Sequence, residues 1–393
     1  MSTDSSQEAI HDHLAWWGLK HFTSDHDYFT WQRQQWSSGG LAQLTRQAEQ
    51  KRSGDRHDEI AFYDFTARPT ILPVLYSQRY DYYEEMGRRI CASLVSAETV
   101  LDFGCGPGIL TTFYARQCPE KTFVGLDRSR ALIAVAQRKA SELGIGNVRF
   151  DCVDAETDSL PGSYDLAIAT HVLMQSEYDP GLPSRSWRTF ERKPDPSQQS
   201  AFEQRTGLGI RLDRVCKALR LNGRMILCEK TRQLARRVPF QRAVSRRGFG
   251  LVGPAEPIHY RSIEEAVDDG PLFLVHRRSH ASSGWDERPE EDEGSPFVQD
   301  MAQPMNDPGR PLYENHWPSA QGVWEELRDR VAVQEATRQE SNGRQVHVER
   351  GTSGDLSYLY CANTFDQRQV LIEKQARSAM IEAYYQEIIR GLP

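Results

Sequence analysis

Hydrophobic and polar positions change rhythm several times along this chain. Over the first 95 or so residues apolar side chains recur at helical spacing, and Trp16, Trp17, Phe22, Tyr28, Phe29, Trp31 and Trp36 crowd one stretch. Gly39-Gly40 and the polar run Gln50 to Asp58 interrupt the pattern, and Tyr80, Tyr82, Tyr83, Met86, Ile90 and Leu94 resume it. This predicts a helical region that packs on a core and supplies aromatics to the roof of a site. From Thr99 short apolar runs alternate with helical stretches: strands at Val100–Phe103, Thr122–Leu126, Val148–Val153, Tyr164–Ala169 and Arg224–Cys228, helices at Ile109–Gln117, Ser129–Leu143 and Leu208–Leu219. Strands alternating with helices of this length predict a parallel sheet.

Two segments break the alternation. Tyr178 to Arg205 is rich in proline and serine and too long for a plain connector, which predicts an inserted loop or lid. Ser279 to Gly309 is polar and acidic and reads as a solvated linker. Beyond it, Val323 to Glu340 has helical spacing. Gln345–Glu349 and Leu356–Ala362 read as paired strands, and a last helix carries Ile381, Tyr384, Tyr385 and Ile388 on one face. The expected organisation is a helical N-terminal or lid region over 1–95, an α/β core over 96–278 carrying the 178–205 insertion, an acidic linker over 279–310, and a small C-terminal α/β module over 311–393. The core is expected to be a Rossmann-like, mostly parallel seven-stranded sheet with helices on both faces.

Composition narrows the choices. At 393 residues the chain exceeds the size at which a single core stops growing, so more than one module is expected. The net charge of −7 gives no whole-chain footprint for nucleic acid, although Arg205 to Arg247 is locally basic. No run approaches the roughly 18–20 apolar residues of a membrane span, and the polar, acidic start lacks the order of a signal peptide. The seven cysteines (91, 105, 118, 152, 216, 228, 361) are scattered without a CxxC pair. That spacing suits neither a disulfide framework nor structural zinc, and reads as reduced thiols in a cytoplasmic protein that needs no metal. His11 and His13 read as surface or helix-cap residues.

The chemistry is concentrated at Val100-Leu101-Asp102-Phe103-Gly104-Cys105-Gly106-Pro107-Gly108. Glycines here remove Cβ atoms where backbone must pass close to a ligand, and the following helix offers free N–H groups to an anionic end. A dinucleotide fingerprint would need its third glycine where Ile109 stands. Downstream, Asp127 closes the second strand, 23 residues past Gly104, where a carboxylate can accept from ribose hydroxyls. Val153-Asp154-Ala155 closes the third strand, and Thr170-His171 closes the fourth.

This ordered set resembles the class I S-adenosylmethionine (SAM)-dependent methyltransferases, specifically over residues 96–178 and loosely over 206–278. The resemblance implies SAM as cofactor, with Asp102, Gly104, Cys105, Gly106, Gly108, Asp127, Arg128, Asp154, Ala155, Thr170, His171 and the aromatic Tyr83 around it. By the family pattern Asp102 lies near the cofactor's amino group, Asp127 at the ribose and Asp154 at the adenine amino group. His171 is the best-placed general base, with Tyr178 and His259 as further catalytic candidates. The fourth strand lacks the Asn-Pro-Pro-Tyr ending of amino-methylating enzymes. The implied partner is therefore a small methyl acceptor, anionic or zwitterionic, bound by one or two arginines, with neither membrane nor nucleic acid as partner. An RNA- or protein-modifying methyltransferase and a non-catalytic SAM-binding scaffold are the alternatives. For the C-terminal module, homodimer contacts, shaping of the acceptor site and structural support are all open.

Overall fold

The structure, a computed structural model, describes residues 3–53, 56–175, 179–277, 284–290, 294–299, 309–341 and 343–392. The chain forms two compact units, one from residues 1–179, 203–232 and 242–285, the other from 180–202, 233–241 and 286–393.

In chain order the elements begin with α1 (Thr3–Trp16), α2 (Asp25–Gln35), α3 (Ser38–Ser53), α4 (Arg56–Thr66), α5 (Leu72–Ser77) and α6 (Tyr80–Ser93). There follow β1 (Thr99–Phe103), α7 (Ile109–Gln117), β2 (Thr122–Asp127), α8 (Arg130–Glu142), β3 (Val148–Cys152), β4 (Tyr164–Thr170), α9 (Pro196–Arg205), α10 (Leu208–Ala218), β5 (Leu219–Cys228) and α11 (Leu234–Arg246). Then come β6 (Phe249–Leu251), β7 (His259–Ser262), β8 (Glu265–Asp268) and β9 (Leu272–Arg277).

The first unit carries the seven-stranded sheet, in the order β3-β2-β1-β4-β5-β9-β6. Strands β1 to β5 pair in parallel, and β9 alone runs antiparallel to its neighbours β5 and β6. Val100, Leu101, Leu166 and Ala167 are fully buried, as expected of strands covered on both faces. The order reverses between β1 and β4, and the open ends of those strands form the crevice where ligands bind in such sheets. Ser129 caps α8 by accepting from the Leu132 N–H at 3.1 Å, which starts that helix directly behind β2.

The N-terminal region is helical as its periodicity predicts, and α1 corrects one expectation. His13 is buried, not superficial: Nε2 lies 2.8 Å from the Ile109 carbonyl, and Trp17 Nε1 donates to the same ring atom at 3.1 Å. With Ile10 and Leu14 it makes the face of α1 that packs in the core. Gly87 of α6 lets the helices approach, since a Cβ there would stand 3.0 Å from Ile10 Cδ1.

The second unit contains β10 (Tyr313–His316), α12 (Trp317–Glu326), β11 (Val331–Gln339), β12 (Gln345–Ser353), β13 (Leu356–Asn363), β14 (Arg368–Lys374) and α13 (Ser378–Gly391). Its five strands form an antiparallel sheet in the order β10-β14-β13-β12-β11. Trp324 of α12 packs with Tyr358, Tyr360 and Trp187 in one cluster, and Ile381 and Tyr385 of α13 pack with Val348 and Leu359 in another. Two expectations change here. The helix expected over Val323–Glu340 ends at Glu326, and β11 follows as a largely exposed strand paired only with β12. Its polar residues mimic helical spacing because an edge strand need not bury one face. Residues 180–202 are not a free loop: Arg192 donates to Asp366 Oδ1 at 2.5 Å with both side chains buried. The stretch expected as a linker is described only in part, but Phe297 packs against Tyr313 with ring centres 5.0 Å apart.

Candidate active site

A cavity of about 800 Å³ in the first unit opens at the ends of β1, β2, β3, β4 and β5. Its floor is the glycine corner. Gly104, Gly106 and Gly108 have φ of 77°, 55° and 83°, the left-handed region where a Cβ is penalised. At Gly104 a Cβ would stand 2.3 Å from Val172 Cγ2; at Gly106 it would meet nothing within 4 Å, so that backbone faces open space.

Acids stand around this corner. Asp127 accepts from the N–H of Gly106 at 3.0 Å and of Ser129 at 2.8 Å, which ties β2 to the loop and leaves lone pairs for a ligand. Asp102, at the end of β1, is buried and accepts from Thr111 Oγ1 at 2.5 Å; burial pushes its pKa up to about 6. Asp154 accepts from the Glu156 N–H at 2.9 Å and pairs with Arg56 of α4 at 2.5 Å. Glu59, one turn further along α4, pairs with Arg128. Asp64 of the same helix accepts from Ser129 Oγ at 2.5 Å. Thus α4 is bonded to the rims of the cavity, while none of residues 180–202 lines it.

The remaining wall is aromatic. Tyr76 and Tyr83 stack with centroids 6.1 Å apart, and Tyr82 stacks on His171 at 5.2 Å. His171 has a φ of 54°, rare for a side-chain-bearing residue. Glu229 holds this turn: its Oε1 accepts from the Val172 N–H at 2.9 Å and the Leu173 N–H at 2.6 Å. Burial lifts the Glu229 pKa to about 7, its backbone bonds opposing the rise. The His171 ring is committed. Arg79 Nη2 lies 2.8 Å from Nδ1, and Asp269 Oδ2 lies 3.3 Å from Nε2 and accepts from Tyr260 at 2.5 Å. A guanidinium only donates, so Nδ1 accepts and Nε2 carries the proton. Burial, then the Arg79 charge, pulls the His171 pKa down to about 3.

Charge is unevenly distributed over the lining. Arg56, Arg128, Arg205 and Arg211 pair with Asp154, Glu59, Asp179 and Glu156. Arg79, just before α6, and Lys230, just after β5, have no carboxylate within ion-pair distance among the described residues.

Of the residues expected from sequence, Tyr83, Asp102, Gly104, Cys105, Gly106, Asp127, Arg128, Asp154, Ala155, Thr170 and His171 line this one cavity. Gly108 lies beneath it, close to Ala136 and Phe150. Burial holds the Cys105 thiol well above its ordinary pKa, so it lines the wall as a neutral group. Tyr178 lies outside the described residues. His259 is exposed on β7 and does not line the cavity, because strand alternation turns its neighbour Tyr260 toward Asp269 instead. Sequence reasoning missed Arg79 and Glu229, while Tyr82 stood among the roof aromatics and Lys230 in the basic stretch without a role of its own. Glu229-Lys230 had a signal, a charged pair directly after the apolar β5; Arg79 had none.

For metals, Glu335, His347 and Glu349 of the second unit place ligand atoms within 4.8 Å of one another among the described residues. There Glu349 already accepts from Tyr358 and from Trp324 Nε1 at 3.3 Å. No helix among the described residues is long and apolar enough to cross a membrane.

Residues 94–244 match the family model described as a methyltransferase domain. A trans-aconitate 2-methyltransferase of Mycobacterium marinum is 29% identical over 129 residues, 33% of this chain and 43% of that protein. An aklanonic acid methyltransferase of Streptomyces sp. is 33% identical over 95 residues, 23% of this chain and 43% of that protein. The chain thus spans less than half the length of these curated relatives. Among solved structures, the SAM-bound magnesium protoporphyrin IX methyltransferase of Synechocystis is 18% identical, with a TM-score of 0.34 over 51% of this chain and 84% of that one. With the sheet order and the glycine corner, the family match makes this segment a class I SAM-dependent methyltransferase domain, whose cofactor is S-adenosylmethionine.

Proposed function

We propose that the chain transfers a methyl group from SAM to a small, anionic or zwitterionic metabolite. The observation that carries this reading is the convergence of Gly106, Asp102 and Asp127 on one cavity whose remaining wall is aromatic and cationic. The residues fit the cofactor: a left-handed glycine corner without Cβ atoms, a buried acid at the tip of β1 and another at the tip of β2. When bound, SAM supplies a methyl group on a positively charged sulfur. In this reading Asp102 takes its amino group, Asp127 its ribose hydroxyls and Asp154 its adenine amino group. Tyr83 offers an aromatic face to the positive charge, an attraction of about 0.5–2 kcal/mol. Alignment of two bound reactants supplies most of the acceleration, since well-oriented pairs reach effective molarities of order 10⁵–10⁸ M. The relatives support the acceptor class, as trans-aconitate and aklanonic acid, named in their titles, are acids.

Calorimetry tests the cofactor half. SAM and S-adenosylhomocysteine should bind, and Asp127→Ala should weaken both by at least about tenfold, the loss of charge-assisted hydrogen bonds. Methyl-labelled SAM added with the protein to a metabolite extract tests the acceptor half. Label should enter low-molecular-weight material, and label confined to RNA or protein would overturn the small-acceptor reading.

A further inference from the structure

Resting on that reading, we infer that the acceptor is a carboxylate, held by Arg79 and Lys230 and methylated on oxygen without a general base. Two observations on the cavity wall carry this, one of charge and one of hydrogen-bonding capacity.

Of the other lining arginines, Arg56, Arg128, Arg205 and Arg211 each face a carboxylate, so their charge is spent within the protein, and Arg52 stands exposed at the end of α3. Arg79 and Lys230 keep theirs. Arg79 is held in place by the His171 ring and by the face of Tyr82, its guanidinium carbon 4.2 Å from the ring centre. Asp269, the acid that acts on it, makes no ion pair with it and accepts from Tyr260 instead. A guanidinium so placed, with donors remaining after the His171 contact, matches a carboxylate in shape and charge. Lys230 lines the same cavity and, like Arg79, acts on the His171 ring by its charge, a second cation suited to the other oxygen or to a second acid group.

The second observation concerns the proton. An amine, hydroxyl or carbon acceptor must lose a proton, and the group placed to take it is His171. That ring has no lone pair to offer, because Nδ1 accepts from Arg79 and Nε2 therefore bears the hydrogen. A carboxylate needs no base. Its oxygen donates an electron pair to the methyl carbon, and the carbon–sulfur bond breaks with its pair going to sulfur. Anion and sulfonium become a neutral ester and a neutral thioether, and no proton is released. His171 is then a positioning residue, fixing Arg79 rather than moving a proton.

The test follows the label in the extract experiment. Methyl esters give volatile methanol under mild alkali, whereas N-, C- and ether-linked methyl groups stay put. The expected result is alkali-labile label. The protein–S-adenosylhomocysteine complex, titrated calorimetrically with a panel of mono-, di- and tricarboxylates, should bind at least one acid, and its amide at least tenfold more weakly. Lys230→Gln, at an exposed position, and Arg79→Lys should each raise KM for the labelled acid about tenfold or more. Affinity for SAM should not change, and the rate should show no inflection between about pH 8 and 9, above the titration of Glu229. Alkali-stable product, equal binding of acid and amide, or unchanged KM in both variants overturns the inference and leaves methyl transfer standing. A protein that binds SAM yet labels nothing sinks the transfer reading and this inference together.

Discussion

Single residues set the electrostatic state of the site, and His13 is the most accessible to measurement. Burial, opposed only in part by its Ile109 contact, pulls its pKa down to about 4. The unfolded chain, titrating near 6.5, binds the proton first as pH falls. His13 therefore contributes stability that is full above pH 6.5 and is lost progressively toward pH 4, roughly 3 kcal/mol for a shift of this size. His171 acts in the same sense, whereas Asp102 and Glu229, with raised values, act oppositely. The pH dependence of the whole protein is thus a mixture, and comparison with His13→Gln isolates one component. The wild-type stability advantage over that variant should shrink between pH 6.5 and 4 in denaturant titrations; a constant difference would place the ring in a wetter setting. At this scale the sequence was legible where chemistry is local. Asp102, Asp127 and the glycines announce themselves by spacing. Arg79 does not, because its contact with His171 spans 92 positions and nothing near Arg79 distinguishes it from a surface arginine.

Among elements, α4 is the helix bonded to the cavity rim at several points. It bonds Asp154 through Arg56, Arg128 through Glu59 and the start of α8 through Asp64. Exposed or partly exposed ion pairs contribute about 0.2–1 kcal/mol each, so two of them change a dissociation rate roughly two- to thirtyfold. Stopped-flow measurement of the Arg56→Ala/Glu59→Ala variant should show S-adenosylhomocysteine leaving faster by that factor, with high salt speeding the wild type in the same direction. Equal release rates would mean that α4 does not gate the site. The strands of the parallel sheet were legible because apolar runs alternate with amphipathic helices. The strand β11 was not, since an exposed edge carries too few apolar residues to reveal a period of two. The roof was legible only as a helical, aromatic region; that its polar helix α4 bonds to the cavity rim depends on pairings about 65 to 100 residues apart.

Across the whole molecule the second unit is assembled from three separated stretches of chain. Asp366 accepts from Arg192 and from the Ala235 N–H at 2.8 Å, and Glu290 pairs with buried Arg237. A chain ended at Trp285 would remove the carboxylates that face these two buried cations, and breaking a buried pair typically costs 3–5 kcal/mol. The 1–285 fragment should therefore express poorly or melt more than about 10 °C below the full chain; cooperative unfolding at the full-length temperature would refute this. Sequence inspection placed the boundary of the C-terminal module near residue 311 because linkers are legible only along the chain, whereas this unit recruits residues 180–202 from far upstream.

That recruitment has a consequence for biosynthesis. Arg192 precedes its partner Asp366 by 174 residues, an interval of roughly ten to thirty seconds at ordinary rates of translation. Throughout that time Trp187, destined for an interior, and an arginine destined to be sealed away emerge from the ribosome with nothing to receive them. The insertion must therefore stay soluble as an unfinished strand of chain, and its prolines and serines equip it to wait.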